Sequence, residues 1–318
     1  MTNTAHRMEG TAARTALAGI LSLCAIIAIP TVGATTGLFS PASPKANASK
    51  AIDATAIALA AQIRQALDER RYVDAGDLLD RAAVLKITSP AFAVLRGDFF
   101  LARGRFDDAL ASFRIAAADP IPNPEAQQGI GLALARLGRS DEALAALQTA
   151  TQHDKTLWRA WNALGCEYDM RRQWTKAQAA YTAALAAPGA NSAIVLNNRG
   201  YSRLLQKEMD LASADFVAAL EKDPAFTEAR TNLRISLALQ GAYTRAASTG
   251  VGDDRAAVLN NVGLTAAMRG DYPQAEKLLT EAISARGQYY ARAAENLQLS
   301  HDMAAQADEK PATADAPH

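Results

Sequence analysis

From about residue 50 to 302 the apolar positions follow a helical rhythm, and that rhythm itself recurs. The stretch 197–219, NNRGYSRLLQKEMDLASADFVAA, is echoed 63 residues later by NNVGLTAAMRGDYPQAEKLLTEA. Both open on N-N-x-G, place an alanine twelve residues past the glycine, and set a bulky apolar residue four further on. Self-similarity at a fixed period marks a repeat architecture. The anchors Gly97, Gly131, Gly165 and Gly200 are 34, 34 and 35 residues apart. A weaker unit carries Leu233, Leu237, Gly241, Tyr243 and Ala246, and a last one, with Gly263, Gly270, Tyr272, Ala275 and Ala282, arrives after 29. An earlier unit, with Tyr72, Ala75, Leu79 and Ala82, lacks the glycine. Seven helix-turn-helix units are expected, with an amphipathic helix over 289–302 that covers the last open face.

The segment WNALGCEY, 161–168, fits W-x-x-L-G-x-x-Y at every defined position and is followed by Ala177, Tyr181, Ala184 and Pro188. This resembles the tetratricopeptide repeat. The resemblance implies an all-α fold, a tetratricopeptide repeat superhelix whose first (A) helices line a groove. The physical reason is the same in each unit: neither helix buries its apolar face alone. Glycine and alanine let the helices approach, and Trp161, Tyr168, Tyr181 and Phe216 fill the space between them. In the fifth unit, counted from that of Gly97, Gly250 occupies the large-residue position within STGVGDD, 248–254. The second (B) helix of that unit is therefore expected to stop short. Gly250-Val251-Gly252 reads as a loop, since no strand precedes it and no lysine stands after it at phosphate-loop spacing.

Outside 51–302 the pattern changes. Residues 16–34, ALAGILSLCAIIAIPTVGA, carry no charge over nineteen positions and are preceded by Arg7 and Arg14. Residues 1–34 therefore read as a secretory signal peptide or an N-terminal membrane anchor. Small-residue cleavage patterns occur at Val32-Gly33-Ala34 and Ala46-Asn47-Ala48. Either reading exports the repeats, to the periplasm or to the inner membrane held by residues 16–34. Lipidation at Cys24 is not expected, because Leu23 stands where a small residue belongs. Residues 35–50 read as a flexible linker and 303–318 as a disordered tail.

Composition narrows the function classes. Apolar residues make up 49% of the chain but aromatics only 6%, an alanine-rich balance that suits close helix packing better than sheets. The 33 basic and 33 acidic residues cancel, which leaves no footprint of a general nucleic-acid binder. Cys24 and Cys166 build neither a disulfide framework nor a C-x-x-C pair. The four histidines stand at no ligand spacing from each other or from cysteine. No catalytic residue, metal site or cofactor is expected. Cys166 reads as a small residue on a packed helix, and an enzyme built on it would lack an assignable base.

Function is then expected in the groove, at positions 2, 5, 9 and 12 of each A helix. These include Asp98, Glu125 and Arg159. The candidate peptide-binding residues are Gln128, Asn162, Cys166, Asp169, Asn197, Tyr201, Leu204, Glu228, Thr231, Ile235, Asn260 and Leu264. Members of the resembled family that clamp acidic chaperone C-termini use Lys with Asn or Arg at positions 5 and 9, a pair absent here. Position 5 is instead asparagine at 162, 197 and 260. An amide offers donor and acceptor to an extended peptide main chain; the alternative is that these amides bond within the stack. Asn198 and Asn261 are expected to be structural.

The strings VLNNRGYSRLLQ (195–206), TNLRISLALQGAYTRA (231–246), AAVLNNVGLTAAMRGDYPQAEKLLTEAI (256–283) and AENLQ (294–298) resemble the TadD family of the tight-adherence (Flp) pilus assembly system. That resemblance implies an exported, non-catalytic scaffold that contacts the pilus secretin or other assembly components. A general periplasmic or inner-membrane tetratricopeptide adaptor is the alternative, and an enzyme using Cys166 or the 248–254 loop is a third.

Overall fold

The computed structural model describes residues 44–249, 254–286 and 290–308, with side chains from residue 54. The apolar segment 16–34, the Gly250-Val251-Gly252 loop and the last ten residues lie outside the described residues. Among those described there are fifteen α-helices and no strand. They pair as α1 (Pro44–Asp68) with α2 (Tyr72–Val84), α3 (Pro90–Ala102) with α4 (Phe106–Ala117), α5 (Pro124–Arg136) with α6 (Ser140–His153), and α7 (Trp158–Met170) with α8 (Trp174–Ala186). Then come α9 (Ser192–Leu205) and α10 (Met209–Lys222), α11 (Thr227–Leu239) and the six-residue α12 (Tyr243–Ser248), α13 (Arg255–Met268) and α14 (Tyr272–Ala285), and α15 (Ala291–Asp308). The shortened B helix of the fifth unit is thus present as expected. Two boundaries move: α1 already begins at Pro44, inside the stretch read as a linker, and α15 runs six residues past 302.

Contacts group the chain into two units that divide within α9, between Ser202 and Arg203. In the first, α1, α3, α5 and α7 each touch the next as a row of A helices, and each also packs on its own B helix. In the second, α11, α13 and α15 form the equivalent row, and α15 covers α13 and α14.

The period of the sequence becomes a row of buried contacts. Each B helix of full length from α4 onward buries an alanine and, four residues on, a large side chain. Ala109 with Phe113, Ala143 with Leu147, Ala177 with Tyr181, Ala212 with Phe216 and Ala275 with Leu279 are all at most 1% exposed. Each such large side chain contributes roughly 1.5–3 kcal/mol by leaving water. The A helices make room for them. Phe113 lies against both Gly97 and Gly129, where a β-carbon would come within 2.5 and 2.3 Å of its ring. Gly165 meets Tyr181 in the same way, at 2.4 Å.

A second regularity lies in the turns. The residue after each A helix that turns the chain toward its B helix is left-handed in all seven pairs: Arg70 (φ 58°), Gly104 (72°), Gly138 (74°), Arg172 (55°), Lys207 (65°), Gly241 (80°) and Gly270 (82°). Each is closed by the same two bonds, for example Gly104 N to Leu101 O at 3.1 Å and Arg105 N to Phe100 O at 2.9 Å. This is the Schellman ending, in which the left-handed residue satisfies carbonyls that the helix leaves open. The same pair recurs at Lys207 and Glu208, bonded to Leu204 and Arg203. Three of the seven positions carry a long side chain where glycine is the unstrained choice.

N-termini are fixed by local chemistry as well. Pro90 and Pro124 open α3 and α5, where a missing N–H costs nothing. Asn123 accepts from Ala126 N at 2.9 Å, and Asp254 accepts from Ala256 N and Ala257 N at 3.0 and 3.2 Å. Where α12 is cut short, Arg234 of α11 donates through Nε to Thr249 O at 2.8 Å and also through Nη2. The guanidinium thereby holds the carbonyl just past the short helix.

Two substitutions test this frame. Gly165→Ala forces a methyl group onto the Tyr181 ring and is expected to destabilise by about 1–3 kcal/mol in urea unfolding. Lys207→Gly removes the left-handed strain and, less the added chain entropy, is expected to stabilise by roughly 0.5–1 kcal/mol. An unchanged or lower melting temperature for Lys207→Gly would contradict the assigned turn.

Candidate peptide-binding face

The predicted groove residues fall into two groups. Asn162, Asn197 and Asn260 are each 1% exposed. Asn198 Nδ2 donates to Asn162 Oδ1 at 3.1 Å, and Asn197 Nδ2 donates to Asn198 Oδ1 at 3.4 Å. In the second unit Asn296 Nδ2 donates to Asn260 Oδ1 at 2.8 Å, and Asn260 Nδ2 to Asn261 Oδ1 at 3.2 Å. The spacing of 36 residues is the same in both places, so an amide on one A helix holds an amide on the next. This corrects the expectation that these three asparagines meet a partner's main chain. Their hydrogen-bonding capacity is turned inward, and truncating one leaves a buried polar atom unpaired, at a cost of about 1–3 kcal/mol. Asn198 and Asn261 share in the same bonds, in keeping with a structural role.

Asp169 is also interior. Its carboxylate accepts from Tyr181 Oη at 2.8 Å and Ser202 Oγ at 2.6 Å. Burial pushes its carboxyl above the usual range while these two hydroxyls pull it down. Cys166 is a half-buried thiol whose Sγ lies 3.5 Å from Tyr181 Oη. Leu204, Ile235 and Leu264 are buried apolar side chains. Among the described residues no group of His, Cys, Asp or Glu is arranged to hold a metal ion, and no helix is long and apolar enough to cross a membrane.

The remaining candidates keep accessible surface. In the first unit these are Gln128 and Tyr201, and in the second Glu228 and Thr231. Gln128 Oε1 accepts from Ala160 N at 3.1 Å and so joins α5 to the start of α7. Thr231 bonds Thr227 O at 3.0 Å and borders, with Arg234, Ile235, Asn261, Val262 and Thr265, a cleft of about 10 Å³, room for one water molecule.

The strongest electrostatics lies on residues that the asparagine pattern does not single out. On the A-helix face of the first unit, Asp98 of α3 is half-buried and its carboxyl is pushed up to about 6. Burial is the main cause. Arg159 of α7 and Arg64 of α1 oppose it, whereas Glu125 of α5 and Asp68 of α1 add to it. Asp68 is raised for the same first reason, with Arg159 and Arg64 again opposing and Glu69 adding. The Arg159 guanidinium is lowered by burial, against the pull of Asp98 and Asp68. Charged side chains of four successive A helices thus act on one another.

A protein built from repeated, closely packed helix pairs with a row of A helices on one face is a tetratricopeptide-repeat protein in fold. Residues 94–155 and 162–225 match the tetratricopeptide repeat family model. Among solved structures the chain is similar to a chain of the APC/C hetero-tetramer Cut9–Hcn1, with TM-score 0.55 and 18% identity, over 76% of this chain and 48% of that one. It is similar to a thermophilic TPR protein of Thermus thermophilus, with TM-score 0.50 and 20% identity, over 56% of this chain and 97% of the other. It is also similar to pilF of Pseudomonas aeruginosa, with TM-score 0.51 and 16% identity, over 69% and 97%. The chain spans about half the length of the Cut9–Hcn1 chain it matches. At these identities the likeness is one of fold. No curated protein sequence matches the chain. The fold is that of a scaffold for protein or peptide partners.

The raised carboxyl of Asp98 has a consequence for stability. Its folded value of about 6 lies above the ordinary 3.8, so the folded chain takes up this proton before the unfolded chain does. Asp98 therefore costs stability above pH 6, and that cost disappears as pH falls toward 4. Asp98→Asn is expected to melt higher than the parent at pH 7.5, with the difference shrinking between about pH 6 and pH 4. Melting curves across that range check it; a difference that does not narrow would rule the assignment out.

Proposed function

We propose that the protein is a non-catalytic scaffold for protein–protein contacts that supports assembly of a tight-adherence (Flp) pilus or its secretion apparatus at the bacterial cell envelope. The observation that carries the reading is the segment from 195 to 298, whose NNRG and NNVG units and shortened intervening pair resemble the TadD family. The tetratricopeptide fold supports the scaffold part of this reading. The uncharged stretch 16–34 supports export, either to the periplasm or to an inner-membrane anchor. The partners are proteins or peptides, among them the pilus secretin, and no cofactor is involved. Tyr201 is the best-placed candidate contact in the NNRG unit, since it keeps surface while its asparagine neighbours do not.

The test is cross-linking in the source bacterium with tagged full-length protein and the Tyr201→Ala variant, each checked first for an unchanged melting curve. Enrichment of secretin, pilin or pilus-motor components, reduced several-fold in the variant, is the expected result. Recovery of unrelated envelope proteins would transfer the function to a general envelope adaptor. Recovery of cytosolic proteins alone would overturn the export reading.

A further inference from the structure

Amides join neighbouring A helices at two joints, and the arrangement repeats. Asn198 of α9 takes Asn197 Nδ2 on its oxygen at 3.4 Å and sends its own Nδ2 back to Asn162 Oδ1 of α7 at 3.1 Å. Asn296 of α15 sends its Nδ2 back to Asn260 Oδ1 of α13 at 2.8 Å. Both acceptors stand three residues before the glycine of their helix, Asn162 before Gly165 and Asn260 before Gly263.

The joint between α11 and α13 departs from this arrangement. Asn261 stands two residues before Gly263, as Asn198 stands two before Gly200, and its oxygen is again taken by the preceding asparagine, at 3.2 Å. The same amide orientation turns Asn261 Nδ2 toward α11, as that of Asn198 is turned toward α7. The residue at the acceptor position is Thr231, fifth in α11 as Asn162 is fifth in α7. Threonine is one layer of atoms shorter than asparagine, and the Thr231 hydroxyl donates within its own helix, to Thr227 O at 3.0 Å. No hydrogen bond joins it to Asn261. Both side chains border the cleft of about 10 Å³ described above.

We propose that this cleft binds one resident water molecule, which joins α13 to α11 where the amide acceptor is missing. The volume is about what a single water needs, and the lining offers the partners that a buried water requires. Asn261 Nδ2 is the donor to the water oxygen. Thr231 Oγ1 and Thr265 Oγ1 give their hydrogens to Thr227 O and Asn261 O, and their lone pairs accept the two hydrogens of the water. Ile235 and Val262, both buried, form the apolar walls. A bridge of this kind is nearly as favourable in enthalpy as a direct hydrogen bond. Thr231 is then part of a helix joint and not a partner contact, which leaves Glu228 as the accessible groove candidate on α11.

The experiment looks for the water in the full chain, through NOE and ROE cross-peaks between water and the side-chain amide hydrogens of Asn261. Isotope-labelled asparagine supplies the signals, and loss in Asn261→Asp assigns them. Cross-peaks of opposite sign in the two spectra, the mark of a water that tumbles with the protein, are expected. Equal signs would mean hydrogen exchange with bulk solvent and would count against the site, as would the absence of cross-peaks. Thr231→Asn supplies the missing acceptor and fills the cleft, so the cross-peaks are expected to vanish and the melting temperature to rise by about 2–4 °C. Cross-peaks that survive in this variant would overturn the proposal. Thr231→Val keeps the shape but removes one acceptor, and is expected to weaken the cross-peaks several-fold and to melt lower than the parent. Loss of the cross-peaks in Thr231→Val with unchanged melting would assign the signal to the threonine hydroxyl itself and refute the resident water.

Discussion

The structure depends on one steric condition, the close approach of A and B helices at a glycine of the A helix and a large side chain of the B helix. At Phe113 the condition is met twice, by Gly97 of its own pair and by Gly129 of the next. The same ring is therefore both the core of one repeat and the joint to its neighbour. Alanines at 109, 143, 177, 212 and 275, all fully buried, keep the backbones near enough for that ring or leucine to reach. Packing of this kind tolerates little added volume, since interiors are already as dense as organic crystals.

This condition explains why the fold was legible in the sequence. A glycine and an alanine at fixed distances from a bulky residue are visible as letters, and their period of about 34 counts the pairs. The turns were less visible. Glycine marks four of the seven left-handed positions, but Arg70, Arg172 and Lys207 look like ordinary surface residues until their backbone angles are known. The candidate face was legible only in part. The register correctly put Asn162, Asn197 and Asn260 at repeating positions, yet an amide at such a position reads the same whether it meets a peptide or the next helix. The deciding fact is the pairing of residues 36 apart, Asn162 with Asn198 and Asn260 with Asn296, which is a property of helix spacing. Arg64 and Asp68 escaped notice because the first pair lacks the glycine that sets the register.

The charged face and the amide contacts divide the labour of the A helices. Amides sit where neighbouring helices meet, and their bonds are satisfied internally. Asp68, Asp98 and Arg159 sit where the chain is crowded but still partly wet. Asp169 shows the contrast: it is buried, yet two hydroxyls complete its bonding. Asp68 has no such partners. The ionised carboxylate of Asp98 therefore costs stability that the hydroxyls spare Asp169.

The repeated left-handed turn has a consequence for how the molecule is specified. Each turn is closed by bonds that reach back three and five residues, so the change of direction is encoded entirely within its own segment. Folding of such a chain involves mostly short sequence separations, the condition associated with rapid folding. It also frees the B helices to vary. The interval between Gly241 and Gly270 is 29 residues where Gly104 and Gly138 stand 34 apart, and the loss falls on the six-residue α12, while the turns on both sides retain their geometry. Length can be edited on one side of a pair because direction is written on the other.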